Sequence, residues 1–279
     1  MLPILFHIGP WPVYTYGVMV SLGFIVGYYV LLDWAEEEGV EEKYIVDLFL
    51  ILVGASMVGA RITYVITYPQ HFYYDWLDIF RVWKGGLTIL GGALLALVLF
   101  GLYCWRHRLP TLLVLDLFSP CIALGLIIGR WGCVGYGCCY GRPTDLPWGL
   151  TFPNTDPLME AVPRHPTQIY TSLCMVVIFL CLRWYRRRPH TDGMVTVAFI
   201  YLYSIYRLFI ETLREDVATE SYIFGLTFAQ SCCLVASLGG FLTWFFWLRH
   251  RPYSRGEGVT PSGQEEGKTK EVAQVATKG

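Results

Sequence analysis

Residues 111–129 read TLLVLDLFSPCIALGLIIG, an apolar run in which Asp116 is the single charged residue. A run of about 18 or more mostly apolar residues is long enough to cross the hydrocarbon core of a membrane as a helix. Such runs recur, and we predict spans at 13–32, 45–67, 86–104, 111–129, 166–184, 193–213 and 223–248. The sequence therefore predicts an all-α, polytopic membrane protein with seven transmembrane helices.

The composition of the whole chain supports the same class of protein. Its 279 residues are 54% hydrophobic and 15% charged, with a mean hydropathy of +0.45. A soluble domain carries about a quarter charged residues, so this chain is too apolar to be one. The formal net charge of −1 provides no basic field for a nucleic acid, and we expect no nucleic-acid partner. Because we find no internal repeat, a repeat-built transporter has no support.

The orientation of the predicted spans follows from the basic residues that lie between them. Basic side chains at 106–108 follow the third span, those at 183–188 follow the fifth, and those at 249–251 follow the seventh. Loops rich in arginine and lysine face the cytoplasm, so we expect the N-terminus outside and the C-terminus in the cytoplasm. Residues 1–12 lack the basic start of a cleavable signal peptide, and we expect the first span to remain in the mature protein.

Two regions are expected along the chain, a seven-helix membrane domain over 1–251 and a disordered cytoplasmic tail over 252–279. The tail has almost no large apolar residues, and such a composition cannot bury a core. On the outer side, 70–84 is rich in aromatic residues interrupted by charges. It is either an interfacial arm on the outer leaflet or an ordinary loop anchored by its aromatic rings.

Ionisable residues in the spans gather toward the outer side, and charges at membrane depth mark candidate functional sites. They are Arg61 in the second span, Arg130 at the end of the fourth, and Arg207, Glu211 and Arg214 in the sixth. The spacing of the last three places them on one face of a helix. A buried ion network that only ties helices together is one interpretation. The excess of arginine favours an anionic ligand, because a guanidinium grips phosphate through paired hydrogen bonds.

Two glycine-rich turns are predicted at the same side. One covers 84–92 and includes Gly91, and the other covers 129–141 and includes Gly132. Glycine permits non-helical backbone and close approach to a ligand, although close helix packing explains many glycine patterns in membranes. The neighbouring Arg130 favours a ligand site at the second turn.

Three further kinds of residue on the outer side each have two interpretations. His165, at the start of the fifth span, either carries a proton or caps the helix or bonds a loop carbonyl. Tyr16 is either part of a site or a plain interface aromatic. The thiols of Cys133, Cys138 and Cys139 are interpreted as structural, free or in a disulfide. No nearby histidine completes a usual zinc spacing, so we expect no metal site and no cofactor.

The glycine-rich segment after the fourth span resembles the signature of the bacterial prolipoprotein diacylglyceryl transferases. The resemblance extends along nearly all of the predicted spans, with each motif in the same order. The matching segments are Pro12–Gly17, Gly59–Arg61, Gly85–Gly92, Gly129–Gly141, His165–Tyr170, Arg207–Arg214 and Gly225–Gln230.

This resemblance implies transfer of a diacylglyceryl group from phosphatidylglycerol to the lipobox cysteine of a prolipoprotein, with release of glycerol phosphate. It implies the inner membrane, a site that faces the periplasm, and as partners phosphatidylglycerol, prolipoprotein signal peptides and membrane lipids. The residues predicted to act in catalysis are Arg207, Glu211, His165 and Tyr16. Those predicted to bind lipid are Arg130, which would hold the head group, and Arg61, Arg214, Gly91 and Gly132.

The chain also departs from the family pattern. Leu90 stands where many members have histidine, Cys133 where they have asparagine, Cys138 where they have an acidic residue, and Thr171 where an acidic residue often follows the histidine–proline motif. If the general base is missing, His165 or Glu211 is expected to replace it. Two alternatives stay open: a membrane thiol–disulfide oxidoreductase that uses the cysteines, and a catalytically silent lipid-binding relative.

Overall fold

A computed structural model of the protein describes residues 2–73, 75–81, 85–152, 162–214 and 226–246. Helices dominate these residues. They are α1 (Thr15–Glu37), α2 (Glu42–Thr67), α3 (Ile89–Arg106), α4 (Thr111–Tyr136), α5 (Thr167–Arg186), α6 (Met194–Glu211) and α7 (Phe228–Phe246).

All seven of these helices are long and apolar enough to cross a membrane. A helix suits this environment because it satisfies its backbone hydrogen bonds internally, which the hydrocarbon core cannot do for it. The prediction of an all-α, polytopic membrane protein with seven spans is therefore confirmed. The tail predicted over 252–279 and the loop at 215–225 lie outside the described residues, and the division at residue 251 stays a prediction.

A short hairpin precedes the first span and was not predicted. Strands β1 (Ile4–Ile8) and β2 (Trp11–Tyr14) pair antiparallel, and the chain reverses at Gly9, whose φ of 60° suits glycine. The backbone N–H of Thr15 then donates to the carbonyl oxygen of Pro3 at 3.0 Å. The hairpin thereby fixes the point at which α1 begins.

The described chain divides into two compact units. Of the described residues, the first unit contains 2–31, 115–152, 162–214 and 226–246, and the second contains 32–73, 75–81 and 85–114. The boundaries fall inside α1 and α4, so each of these helices contributes to both units. The two units are described separately below.

In the first unit, small residues allow α1 and α4 to pack closely. A Cβ atom on Gly23 would lie 2.9 Å from the carbonyl oxygen of Gly125, closer than atoms normally approach. Small residues at such crossings are typical of membrane helices, whose association depends on close packing. The buried side chains of Met175, Leu182 and Val195 form the apolar core beside these helices.

An aspartate of α4 caps the start of α6 in the same unit. The buried carboxylate of Asp116 accepts hydrogen bonds from the backbone N–H groups of Gly193 and Thr196, both at 2.7 Å, and from the Thr196 hydroxyl at 2.6 Å. A negative charge at a helix N-terminus satisfies otherwise unpaired N–H groups and interacts favourably with the helix dipole. Asp116 thus has a structural role that joins two helices.

In the second unit, two short 3₁₀ helices, Pro69–Phe72 and Trp76–Phe80, follow α2 and cover part of the predicted aromatic segment. Helix α3 begins at Ile89, three residues later than predicted. The two residues Gly85 and Gly86 have positive φ angles of 87° and 76°, a conformation that an α-helix cannot contain. Gly85 and Gly86 therefore precede the helix, whereas Gly91 lies in its first turn.

Candidate functional site

The helix ends of the first unit meet around the loop that follows α4. The Thr167 hydroxyl, in the first turn of α5, donates to the carbonyl oxygen of Cys139 at 2.5 Å, and the amide of Gln168 donates to that of Cys138 at 2.6 Å. Gly141 pairs with Arg214, just beyond α6. The C-terminal ends of α4 and α6 and the N-terminal end of α5 are therefore joined by direct hydrogen bonds.

A narrow cleft lies between these helix ends. Three arginines contribute to its lining, together with hydroxyl groups and one thiol. The lining residues are Arg130, Cys139, Thr167, Thr171, Tyr206, Arg207, Ile210 and Arg214. Three of the predicted site residues, Arg130, Arg207 and Arg214, are thus brought together.

Arg130 has unused hydrogen-bonding capacity. Its Nε atom is buried and has no hydrogen-bond partner among the residues that the structure describes. Leaving such a donor unpaired in a dry site costs about 1–3 kcal/mol or more for a charged group. A guanidinium in this position is suited to an anionic group that enters the cleft.

Arg207 is held by a carboxylate of its own helix. Its Nη2 lies 2.9 Å from Oε2 of Glu211, one turn further along α6. Glu211 is 3% exposed, and its Oε1 accepts a hydrogen bond of 3.2 Å from the hydroxyl of Thr227. The carboxylate does not line the cleft, and its contacts are those of a group that positions Arg207. Arg214 lies past the end of α6 and still reaches the cleft.

Thr171 stands where many members of the family have an acidic residue, and its hydroxyl makes a different contact. The phenol of Tyr206 donates to the Thr171 hydroxyl at 2.6 Å, and that hydroxyl donates to the carbonyl oxygen of Thr167 at 2.7 Å. All three residues line the cleft. The chain of hydrogen bonds fixes the phenol of Tyr206 in the cleft wall.

His165 lies at the start of α5, outside the set of described residues that line the cleft. Its Nδ1 is 3.3 Å from the hydroxyl of Tyr170, which also accepts a hydrogen bond of 2.8 Å from the indole of Trp148. The backbone of His165 is bonded to Gly141 and Arg142. The backbone N–H of His165 thus bonds a loop carbonyl, that of Arg142, whereas its ring lies against Tyr170. Its role as a proton carrier stays a prediction.

Gly132 and Tyr16 form a close contact between α4 and α1. A Cβ atom on Gly132 would lie 3.0 Å from the Cα of Tyr16. The side chain of Tyr16 is about half-exposed, and Gly132 lies two residues after Arg130 in α4. Tyr16 therefore lies near the cleft, and Gly132 permits its approach.

Arg61 belongs to the second unit and is fully engaged there. It donates to the carbonyl oxygens of Ile79 at 2.9 Å, Gly85 at 2.7 Å and Gly86 at 2.9 Å, and also to that of Asp78. These bonds attach the glycine turn and the second 3₁₀ helix to α2. They give Arg61 a structural role, and its binding of lipid stays a prediction.

Gly91 and Leu90 also lie in the second unit. A Cβ atom on Gly91 would lie 2.6 Å from the carbonyl oxygen of Gly59 and would collide with Thr63, so Gly91 allows α2 and α3 to pack closely. The side chain of Leu90 is 42% exposed. Close helix packing, one of the two interpretations of the glycine pattern, thus accounts for Gly91.

Three cysteines, one in the last turn of α4 and two in the loop after it, lie together as free thiols. The Sγ atoms of Cys133, Cys138 and Cys139 are all within 4.8 Å of one another. Hydrogen bonds from the thiols of Cys133 and Cys138, and then the charges of Arg130 and Arg214, lower the pKa of the Cys139 thiol. The same hydrogen bonds among the thiols raise the pKa of Cys138.

Sequence reasoning missed several lining residues of the cleft. Thr167, Tyr206 and Ile210 line it but were not predicted as site residues. The spacing of four residues in the pairs 167/171 and 206/210 places each pair on one helical face. Only the packing of α5 against α6 reveals that these faces meet.

The fold and the cleft define a polytopic membrane protein with a cationic site between its helix ends. The family model for prolipoprotein diacylglyceryl transferase matches residues 3–246. The chain belongs to this family.

Relatives with the name phosphatidylglycerol–prolipoprotein diacylglyceryl transferase are similar over most of their length. The protein of Finegoldia magna is 35% identical over 226 residues, which are 81% of this chain and 87% of that protein. The protein of Bordetella bronchiseptica is 34% identical over 218 residues, which are 76% of this chain and 82% of that protein. The protein of Aliivibrio salmonicida is 31% identical over 277 residues, which are 97% of this chain and 95% of that protein.

Proposed function

We propose that this protein transfers a diacylglyceryl group from phosphatidylglycerol to the thiol of an acceptor cysteine in a prolipoprotein and releases glycerol phosphate. Membership of the family supports this reaction. The single observation on the structure that carries the proposal is the cleft lined by Arg130, Arg207 and Arg214, since its charge suits a phosphate.

The arginines supply the chemistry that the leaving group needs. As the bond between the glyceryl carbon and the phosphate oxygen breaks, negative charge grows on the phosphate. Preorganised donors in a dry site stabilise such charge more than water does. We assign head-group binding to Arg130, whose buried Nε is unpaired among the described residues, and charge stabilisation to Arg207 and Arg214.

The remaining predicted residues are assigned around this cleft. Glu211 positions Arg207 through their ion pair, and Tyr16 lies where α1 approaches α4 at Gly132. The acceptor must be a thiolate in order to attack, because the thiol itself is a poor nucleophile. His165 is a weaker candidate for the base than its sequence position indicated, since its ring nitrogen is bonded to Tyr170.

We place the protein in the inner membrane with the cleft toward the periplasm. The basic residues between the spans support this orientation, because arginine-rich loops remain in the cytoplasm. In this orientation α4 and α6 end, and α5 begins, at the outer leaflet. Signal peptides of secreted prolipoproteins and phosphatidylglycerol can both reach that leaflet by lateral diffusion.

A transfer assay with purified protein tests the reaction. Phosphatidylglycerol vesicles and a lipobox peptide are supplied, and both lipidated peptide and released glycerol phosphate are measured. We expect the unaltered protein to form both products in equal amounts. Arg130→Ala and Arg207→Ala should each lower the rate at least about a hundredfold, because removing one charge-stabilising donor has an effect of this size.

The matched control is Arg183→Ala, which removes an exposed arginine from the last turn of α5 and should leave the rate unchanged. Phosphatidylglycerol that binds in an Arg130-dependent manner without any product would instead identify a silent lipid-binding relative. Products that form at the same rate in Arg130→Ala would contradict the role of the cleft.

A further inference from the structure

The end of α4 arranges Cys133, Cys138 and Cys139 as a three-sulfur cluster. Gly137 follows the helix with a φ of 85°, and its backbone N–H donates to the carbonyl oxygen of Cys133 at 2.8 Å. The N–H of Cys138 donates to the same oxygen at 3.2 Å. A left-handed residue after the helix reverses the chain, and this reversal returns Cys138 and Cys139 to the last turn, where Cys133 lies.

The loop that carries Cys138 and Cys139 is held firmly. The carbonyl oxygens of Cys138 and Cys139 accept hydrogen bonds from Gln168 and Thr167 at the start of α5. Cys139 itself has a φ of 62°, which is uncommon for a residue other than glycine. Strained backbone is retained where the surroundings enforce it and is frequent at functional sites.

The distances between the sulfur atoms fit a metal ion. With a metal–sulfur distance of about 2.3 Å, two thiolates of a tetrahedral zinc site lie about 3.8 Å apart. The Sγ atoms of this cluster are within 4.8 Å of one another, so a movement of about 1 Å or less per pair closes the site. Unlike a disulfide, which joins two sulfur atoms, a metal ion uses all three.

Charge also favours a cation at this position. Three thiolates and one divalent cation carry a net charge of −1, and the positive charges of Arg130 and Arg214 act on the cluster. No fourth histidine, cysteine, aspartate or glutamate of the described residues joins the group. Zinc sites with three protein ligands keep their fourth position for water or substrate.

Cys139 belongs both to the cluster and to the lining of the cleft. A cation bound by the cluster therefore lies at the wall of the cleft. The acceptor in the proposed reaction is itself a thiol, which is a good ligand for a thiophilic cation.

We propose that Cys133, Cys138 and Cys139 bind a thiophilic divalent cation of the zinc class, whose fourth coordination position binds the acceptor cysteine of the prolipoprotein. The first half of this proposal concerns a metal site and stands by itself, whereas the second half rests on the proposed function.

The chemistry of such a step balances without a redox change. When the acceptor thiol binds the cation, its proton passes to water and the sulfur stays bound as a thiolate. A lone pair of this sulfur forms the new bond to the glyceryl carbon. The bond between that carbon and the phosphate oxygen breaks, and its electron pair leaves with glycerol phosphate. Because the metal generates the thiolate, no histidine at Leu90 and no carboxylate at Cys138 is needed as the base.

Cobalt(II) is the probe for the metal site. Full-length protein is purified under reducing conditions, freed of metal with a chelator and titrated with cobalt(II), whose sulfur-to-metal charge-transfer absorption reports thiolate ligands. We expect one cobalt per chain. Each of the variants Cys133→Ser, Cys138→Ser and Cys139→Ser should bind cobalt about a hundredfold more weakly or worse, since even changes beyond the direct ligands cost about 10–100-fold.

The matched control is the double variant Cys232→Ser and Cys233→Ser, which changes a second adjacent pair of cysteines, in α7, far along the chain from the cluster. It should bind cobalt as the unaltered protein does. The unaltered protein gives a decisive answer even if a serine variant fails to fold. A protein that shows three titratable thiols at the cluster and no cobalt absorption, or a disulfide between two of them by mass spectrometry, overturns the metal site.

A lipobox peptide tests the fourth position. Added to the cobalt protein without phosphatidylglycerol, the cysteine peptide should increase the charge-transfer absorption by one thiolate, and a peptide with serine in place of that cysteine should not. An unchanged spectrum with a peptide that is shown to bind overturns the acceptor role. Transfer by metal-free protein would overturn the acceptor role of the metal and leave the proposed function intact. A cobalt site without any transfer would contradict the proposed function and leave the metal site intact.

Discussion

At the scale of single residues, Thr171 and Tyr206 provide a sharp test of the cleft wall. Valine at position 171 removes the acceptor of the Tyr206 hydroxyl, which is buried, and an unpaired buried hydroxyl costs about 1–3 kcal/mol. We expect Thr171→Val to lower the free energy of unfolding in detergent by that amount. Adding Tyr206→Phe should restore most of it, because the second change removes the unpaired group.

The control for this pair is Thr212→Val, at an exposed hydroxyl that donates to the carbonyl oxygen of Phe209. We expect this variant to change the free energy of unfolding by no more than about 0.5 kcal/mol. Losses of Thr171→Val and Tyr206→Phe that simply add in the double variant would contradict coupling through this hydrogen bond. In the sequence, Thr171 was notable only because many members of the family have an acidic residue at this position. The structure shows what the hydroxyl does in its place.

The limits of sequence reasoning are also clear at this scale. Arg130 and Arg207 were predicted because a charge in an apolar run is conspicuous. Tyr206 was not, because a tyrosine in a membrane helix has many ordinary explanations and its partner is 35 residues away. The cysteine cluster was judged by linear spacing, which could not reveal that the turn at Gly137 returns Cys139 to Cys133.

At the scale of helices, the crossing of α1 and α4 depends on Gly23. A methyl group there would lie 2.9 Å from the carbonyl oxygen of Gly125, which is backbone and cannot rotate away. We expect Gly23→Ala to lower the free energy of unfolding by about 1–3 kcal/mol through overpacking. Thermal or denaturant unfolding in detergent measures the change.

Gly17 in the same helix is the matched control, because a Cβ atom there would meet nothing within 4 Å. Alanine at that position should be neutral or stabilise the helix by up to about 1 kcal/mol. Equal effects at positions 17 and 23 would show that helix propensity, and not the contact with Gly125, decides the outcome.

The helices themselves were predictable because a membrane imposes long apolar runs, and the described spans coincide with them. The ends of the helices were less predictable. Helix α3 starts after two glycines with positive φ, and the hairpin of Ile4–Ile8 and Trp11–Tyr14 lies in a segment too short for its pattern to be recognised. Turn conformation and short strand pairing depend on local backbone geometry, which apolar periodicity does not encode.

At the scale of the whole molecule, the cleft is assembled from residues that are distant in the chain. Arg130 and Arg214 are separated by 84 positions, yet the backbone pairing of Gly141 with Arg214 brings the ends of α4 and α6 together. A site at shared helix ends lets the arginines lie near the head groups while the spans remain apolar, which avoids the cost of charge at the membrane centre. The orientation of the molecule then determines which leaflet supplies the lipid.

That orientation is the last prediction. The end of α3 and the loop after it carry Arg106 and Arg108, whereas the end of α4 and the loop after it carry the cysteine cluster. Because basic loops stay in the cytoplasm, an epitope inserted after His107 should be protected in spheroplasts of a bacterial host, and one inserted after Asp145 should be accessible. Permeabilised cells, in which both epitopes should be detected, are the control. The reverse pattern would place the cleft in the cytoplasm, away from secreted acceptors, and would contradict the proposed reaction at the outer leaflet even if the purified protein retained the transfer activity.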